Sequence, residues 1–116
     1  MKKKKYDLEE RTFLFAKACI ELINKVKKTL ANVEIARQLI RASGSIGANY
    51  IEANESLNRK DFFYRIKICR KEAKESGYWI RLMELEEELK KEAVVLIQES
   101  IELTKIFGSI VHKAQS

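Results

Sequence analysis

The chain has 116 residues, of which 46% are hydrophobic and 34% are charged, and its formal net charge is +6. This length suits one domain with its own core, and the composition excludes an intrinsically disordered chain. Proline is absent, which favours long helices with short connections. The basic start has no apolar stretch behind it, and no apolar run approaches the ~20 residues of a membrane span. We therefore expect a cytoplasmic protein outside the membrane.

The first helix is predicted over about residues 8–28, with Asp7 as its N-cap. Its apolar residues recur at spacings of three, four and seven, which is the period of a helix and not of a strand. They are Leu8, Phe15, Cys19, Ile23, Val26 and Leu30. The pattern indicates a helix that turns one face towards a core.

The second helix is predicted over about residues 33–56, with Asn32 as its N-cap. Gly44 and Gly47 lie in its interior, where each costs about 1 kcal/mol relative to alanine. A turn at these glycines is the alternative. The apolar spacing keeps its phase through them, so we expect a continuous helix whose small residues let a neighbouring helix approach closely.

The third helix is predicted over about residues 59–89, with Asn58 as its N-cap, and the fourth over about residues 92–113. Short connections favour antiparallel packing, so the predicted fold is an all-α, up-down-up-down four-helix bundle forming a single domain over residues 1–116. The last two helices are apolar on more than one face, through Val94 and Ile101 on one stripe of the fourth helix and Leu96 and Leu103 on another. We infer a second buried surface and self-association; a generously packed monomer is the alternative.

A recognisable pattern covers residues 41–85. It consists of Ala42-Ser43-x-Ser45-Ile46-x-Ala48-Asn49 followed by Glu52, then Phe62, then Arg-Lys-Glu-Ala-Lys-Glu-Ser-Gly-Tyr-Trp at residues 70–79. This pattern resembles the four-helix bundle family of 23S rRNA intervening-sequence proteins. Members tend to have Ala-Glu-Gly soon after the asparagine, whereas this chain has Tyr50-Ile51-Glu52-Ala53-Asn54-Glu55, which indicates a subgroup.

The resemblance implies a bundle that assembles into a ring-like homopentamer and has no established enzymatic activity. Some members are encoded inside insertions in bacterial large-subunit rRNA genes. A related accessory protein of diversity-generating retroelements shares the fold and works with nucleic acid and a reverse transcriptase. Fold is implied more firmly than function, since one fold serves many functions.

The positive charge is concentrated in two segments: residues 1–30 and residues 59–81 each carry a net charge of +5. In the second segment, spacings of four and three residues place a row of side chains on one helix face. The row consists of Lys60, Tyr64, Lys67, Lys71, Lys74, Tyr78 and Arg81, with Arg70 beside it. Lysines neutralise phosphates and tyrosines stack on bases, so these eight residues are a candidate nucleic-acid site, to which the Lys2–Lys5 tail would add charge. An ordinary solvated helix face is the alternative.

Polar residues on the second helix have a structural interpretation. Ser43, Ser45, Asn49 and Glu52 are predicted to act at helix contacts. Glu52-x-x-Glu55 and Glu72-x-x-Glu75 could instead gather around a divalent metal, as in four-helix nucleotide pyrophosphohydrolases. Basic residues lie close to these carboxylates in the sequence. Ion pairs that fix the register between helices are therefore the simpler explanation.

No catalytic residues, metal ligands or cofactor are predicted. Cys19 and Cys69 each lie in an apolar run and read as buried free thiols, which fits a reducing compartment. His112 lies near a helix end and reads as a surface residue. The sequence thus favours a non-enzymatic homo-oligomer that binds RNA or DNA, with no small-molecule substrate. A protein-binding scaffold and a metal-dependent nucleotide phosphohydrolase are the alternatives.

Overall fold

The computed structural model describes residues 7–115, which form four helices: α1 (Leu8–Lys25), α2 (Leu30–Asn54), α3 (Arg59–Leu82) and α4 (Lys90–Gln115). A short 3-10 turn, Glu87–Leu89, directly precedes α4. Helix α2 packs against α1 and α3, and α4 packs against α3 and α1, so the helices close into one bundle. The predicted all-α four-helix bundle is confirmed. None of the helices in the described part has the length and apolar character needed to cross a membrane.

Side-chain contacts between neighbouring helices join residues near the start of one helix to residues near the end of the other. Asn54 near the end of α2 donates a hydrogen bond to Glu9 near the start of α1, over 2.9 Å. Arg65 in α3 donates to the side-chain oxygen of Asn49 in α2, also over 2.9 Å. This order of contacts is compatible with the predicted antiparallel, up-down-up-down arrangement.

Two predicted helix caps are confirmed and one is wrong. The side chains of Asp7 and Asn58 accept hydrogen bonds from the backbone N–H groups three residues ahead, which satisfies otherwise unpaired donors at the starts of α1 and α3. Asn32 does not cap α2. Thr29 takes that position, because its hydroxyl accepts from the backbone N–H of Asn32 over 3.1 Å, and α2 therefore begins at Leu30.

Helix α3 ends at Leu82 and not near residue 89. Met83 adopts an extended backbone, and its side chain is buried in the bundle. The residues that follow are mostly acidic, and acidic side chains are unfavourable at the negative end of a helix dipole but favourable at the positive end. These acidic residues form the connection that leads into the positive end of α4. Helix α1 likewise ends at Lys25, three residues earlier than predicted, because residues 26–28 form the connection to Thr29.

The core is built from one inward stripe of each helix. Its largest fully buried apolar side chains are Leu22, Leu39, Ile46, Ile66, Ile80, Leu103 and Phe107. In α4 the inward stripe passes through Leu96 and Leu103, whereas Val94 and Ile101 are exposed. Part of the expected second surface packs against the core, through Trp79 and several α4 side chains, while Val94, Val95 and Ile101 keep an exposed apolar stripe on α4.

The two glycines inside α2 differ in their surroundings. A Cβ atom at Gly47 would lie 2.9 Å from the Thr12 hydroxyl oxygen, so the absence of a side chain lets α1 approach α2 here. A Cβ atom at Gly44 would meet no atom within 4 Å. Close helix approach therefore explains Gly47 and leaves Gly44 without a role inside the bundle.

Candidate nucleic-acid interface

The outer face of α3 is set by the position of its core stripe. Ile66, Cys69, Ala73 and Ile80 are all buried. With 3.6 residues per turn, side chains on the opposite side of the helix must face solvent. The structure places all eight predicted binding residues on this exposed side, and we call them the α3 basic face: Lys60, Tyr64, Lys67, Arg70, Lys71, Lys74, Tyr78 and Arg81.

The cations of the α3 basic face are not neutralised within residues 7–115, where none of its six basic side chains forms an ion pair with a carboxylate. The acidic side chains of α3 lie elsewhere. Asp61 is in the first turn, while Glu72 and Glu75 face α2, where Arg41 contacts both of them at 3.4 Å. Positive charge therefore dominates the outer side of α3 along its length.

Arg70 lies at the seam between α3 and α4 and not in the middle of the α3 basic face. A Cβ atom at Gly108 of α4 would be 3.5 Å from the Arg70 Cδ atom, so the aliphatic stem of the arginine covers this glycine. Its guanidinium head remains on an exposed residue. Long basic side chains often cover apolar surface in this way while the charge stays in water.

The two tyrosines of the α3 basic face have different neighbours. Tyr78 is 53% exposed, and its ring meets Trp79 edge to face with centroids 5.1 Å apart. Tyr64 is 61% exposed, and the Arg65 guanidinium lies 5.9 Å from its ring centroid. The Trp79 contact holds the Tyr78 ring in place and leaves more than half of the residue open.

The four polar residues assigned to helix contacts have distinct environments. Ser43 is buried and hydrogen-bonds the Cys19 thiol of α1. Ser45 accepts a hydrogen bond from Asn49 over 2.9 Å, and Asn49 in turn accepts one from Arg65 of α3. Glu52 is exposed and lines a polar hollow at the α2–α3 turn.

The carboxylates considered for a metal site are arranged as ion pairs or are separated. Glu72 is 5% exposed, and one of its oxygen atoms has no hydrogen-bond partner, although Arg41 lies 3.4 Å away. Glu75 shares the same arginine, and Glu52 does not join them. Within the described range, no group of three or more His, Cys, Asp or Glu residues is placed to hold a metal ion.

The cysteine thiols are both buried and unpaired in disulfides. Loss of water contact raises the pKa of Cys19 to about 12, opposed by the hydrogen bond with Ser43. Burial likewise raises the pKa of Cys69 to about 12, and the Cys69 thiol donates to the backbone oxygen of Ile46 over 3.4 Å. Neither thiol is therefore a nucleophile near neutral pH. His112 is exposed on the last turns of α4.

The comparison with known families decides the identity of the fold. The family model for 23S rRNA-intervening sequence proteins matches residues 4–109. The chain belongs to this family. A crystal structure of a protein of unknown function from the S23 ribosomal protein family of Bacteroides thetaiotaomicron is similar, with 28% identity and a TM-score of 0.73. The similarity covers 89% of this chain and 96% of that one. No curated protein sequence matches the chain.

Sequence reasoning missed one basic residue of this 23S rRNA-intervening sequence protein. Lys105 on α4 is exposed and lines the seam with α3 next to Lys74 and Arg81. The sequence signal that could have revealed Lys105 is the pair Gly77 and Ser100, two small residues at which the helices can approach. A contact between them fixes the register of α3 against α4 and so places Lys105 beside α3. The Lys2–Lys5 tail lies outside the described residues.

Proposed function

We propose that this chain is a non-enzymatic, homo-oligomeric protein that binds RNA through the α3 basic face. The observation that carries the proposal is a row of exposed cations along one helix, none of which pairs with a carboxylate of residues 7–115. From Lys60 to Arg81 the row is on the order of 30 Å long, at about 1.5 Å per residue. A row of this length meets several phosphates at once, and each neutralised phosphate releases condensed counterions, which drives binding.

Two further facts support RNA as the ligand. The family description connects its members with an intervening sequence of 23S rRNA. The tyrosines interleaved with the cations, Tyr64 and Tyr78, supply ring surface on which unpaired bases stack. Loops and ends of folded RNA present such bases, whereas duplex DNA keeps its bases inside the helix. An RNA-binding role belongs in the cytoplasm, where Cys19 and Cys69 remain reduced.

We propose no catalytic activity because the side chains that could carry it have other surroundings and partners. Covalent catalysis needs a nucleophile activated by a nearby base. The raised pKa of Cys19 and Cys69 keeps both thiols protonated at neutral pH. The carboxylates of Glu72 and Glu75 share Arg41 and so fix the register of α2 against α3. These groups have structural tasks.

Self-association is supported by an apolar surface on the outer sides of α1 and α2, which we call the α1–α2 apolar face. Its large side chains are between 37% and 56% exposed: Phe13, Ile20, Val33, Ile40 and Ile51. Gly44 and Ala48 lie between them on the exposed side of α2 and leave room for close approach by another helix. Burial of such a surface in a homo-oligomer removes apolar area from water.

The homopentamer implied by the family resemblance is the subunit number that we propose. A closed ring needs two different patches in contact, so in this assembly the α1 part of the α1–α2 apolar face meets the α2 part of the next subunit. This contact uses helices other than α3, so the α3 basic face stays open. A ring then presents one basic face per subunit, and linked weak contacts bind an extended RNA far more tightly than one contact does.

A protein-binding scaffold is the second candidate, because the same α1–α2 apolar face could receive a different protein. The two candidates differ in what the α3 basic face does. In the scaffold, the cations only keep the protein soluble and contact no phosphate.

The test is a titration of fluorescently labelled structured RNA, and of duplex DNA of equal length, at several salt concentrations. A Lys67/Lys71/Lys74→Glu variant is titrated beside the natural protein after circular dichroism has shown that it folds. We expect tight RNA binding that weakens with salt and that the folded variant loses. No binding, or binding that the variant retains, contradicts the proposal and favours the scaffold.

A further inference from the structure

A groove of about 420 Å³ runs between α3 and α4 at one edge of the α3 basic face. It forms where Gly77 meets Ser100: a Cβ atom on the glycine would collide with the serine hydroxyl oxygen, so the helices touch there. Ile97 and Ile101 of α4 form an apolar wall. The volume lies within the range of about 300–1,000 Å³ that small-molecule sites occupy.

The rim of this groove is cationic. Lys74 and Arg81 of α3 and Lys105 of α4 line it, and no acidic residue of the described part of the chain does. The groove between α1 and α4, at about 680 Å³, provides a contrast. There the one cation, Arg11, is neutralised by Glu99 at 2.7 Å. Of the two apolar grooves, the one at α3 and α4 therefore suits an anion with an apolar or aromatic part.

Tyr78 stands at the edge of the groove and supplies a ring for stacking. Its edge-to-face contact with Trp79 orders the ring before any ligand arrives. Thr104, also in the lining, donates its hydroxyl proton to the backbone oxygen of Ser100 over 2.7 Å. Its oxygen lone pair is left to accept from a ligand, as an exocyclic amino group of a base would require.

We propose that this groove binds one unstacked base of single-stranded RNA, with the base against Tyr78 and the apolar wall. The neighbouring phosphates contact Lys74, Arg81 and Lys105. The inference rests on the RNA binding proposed above and narrows it from RNA in general to unpaired segments. A second copy of the chain is a less suitable occupant, because an apolar contact between two subunits gains nothing from three cations at its rim.

The test compares three labelled probes of twelve nucleotides: a single strand, a duplex, and a single strand in which every base is replaced by a tetrahydrofuran spacer. The spacer probe keeps the phosphates and lacks the bases. Each is titrated against the natural protein, Tyr78→Ala, and the matched control Leu14→Ala, whose side chain is 53% exposed like that of Tyr78 and lines the other apolar groove, between α1 and α4. Light scattering records the mass of each variant.

We expect the single strand to bind about five-fold or more tightly than the spacer probe, since stacking of one base is worth roughly 1–3 kcal/mol. Tyr78→Ala removes most of this difference and leaves spacer binding unchanged, while Leu14→Ala preserves the difference. Equal affinity for the strand and the spacer probe overturns the groove assignment but leaves phosphate binding intact. No binding of any probe contradicts both proposals. If the natural protein binds the strand and the spacer probe equally, and Tyr78→Ala lowers the oligomer mass, the groove is assigned to a second copy of the chain.

Discussion

The carboxamide of Asn32 pairs with both backbone groups of Glu84, accepting from its N–H over 2.8 Å and donating to its C=O over 2.9 Å. The same side-chain nitrogen donates to the backbone oxygen of Lys27 over 2.9 Å. Asn32 is 1% exposed. One buried side chain thus joins the first turn of α2 to the α1–α2 connection and to the chain that leaves α3.

Replacement of Asn32 by alanine should lower the free energy of unfolding by about 2–4 kcal/mol, because it leaves several backbone groups without partners away from water. Urea unfolding followed by circular dichroism measures this change. Asn24→Ala is the matched control: Asn24 is exposed on α1, and we expect an effect within about 0.5 kcal/mol. Equal effects of the two substitutions would mean that the Asn32 contacts contribute nothing specific.

The glycines predict opposite effects of the same substitution. Gly77→Ala places a methyl group against the Ser100 hydroxyl oxygen, closer than van der Waals contact, and should destabilise the fold by about 1–3 kcal/mol. Within one subunit Gly44→Ala meets open space, so at a concentration that keeps the protein dissociated it should stabilise the fold by about 0.5–1 kcal/mol, since alanine is the better helix residue. Adding Ser100→Ala to Gly77→Ala should recover part of the loss. Thermal unfolding of the variants decides; a stabilised Gly77→Ala protein would refute the close contact.

The two thiols predict a loss of stability at high pH. Burial raises the pKa of Cys19 and Cys69 from 9.0 to about 12, so the folded state holds protons that the unfolded state releases. Their contribution is full below about pH 9 and is lost as the pH rises towards 12. We expect the free energy of unfolding to fall more steeply over this range in the natural protein than in a Cys19→Ala/Cys69→Ala variant.

The two proteins differ only at the two cysteine positions, so the difference between the two slopes isolates the thiols. Iodoacetamide offers a second readout at pH 8.5: the native protein should resist alkylation, and the protein unfolded in urea should react. Rapid alkylation of the native protein would show that the thiols are accessible.

The α1–α2 apolar face predicts where the protein associates with itself. Ile20→Lys combined with Ile40→Lys should lower the molar mass in light scattering, because it places two charges in the proposed interface. Leu57→Lys is the control, since Leu57 is 97% exposed at the α2–α3 turn and lies away from this face. A natural protein that is monomeric at micromolar concentration would contradict the homo-oligomer.

Local signals predicted the parts of the fold that local chemistry determines. Asp7 and Asn58 cap helices as their sequence positions indicate, because a cap needs only the residues beside it. The exposure of the α3 basic face followed from helix period alone. The same spacing argument explains why the binding role of that face stays a prediction: it gives the positions of the charges and not their ligand.

The errors occur where distant residues decide. Asn32 has the sequence of a cap, but tertiary hydrogen bonds to Glu84 direct its side chain elsewhere and leave the cap to Thr29. Ile101 has the spacing of a core residue, yet it is 41% exposed because Leu103 takes the inward position. Two apolar stripes on one helix leave its rotation open, and only packing against α1 and α3 resolves it.

The salt dependence of RNA binding tests the central claim most directly. A Lys67/Lys71/Lys74→Gln variant is compared with a Lys17/Lys28/Lys91→Gln variant, which loses the same charge from exposed positions outside α3. Each lost phosphate contact should reduce the slope of log K against log salt concentration by about 0.7–0.9. We predict that the slope falls by about two to three in the first variant and barely changes in the second. Equal changes in both would show that RNA senses only the overall charge, and would contradict a binding site on α3.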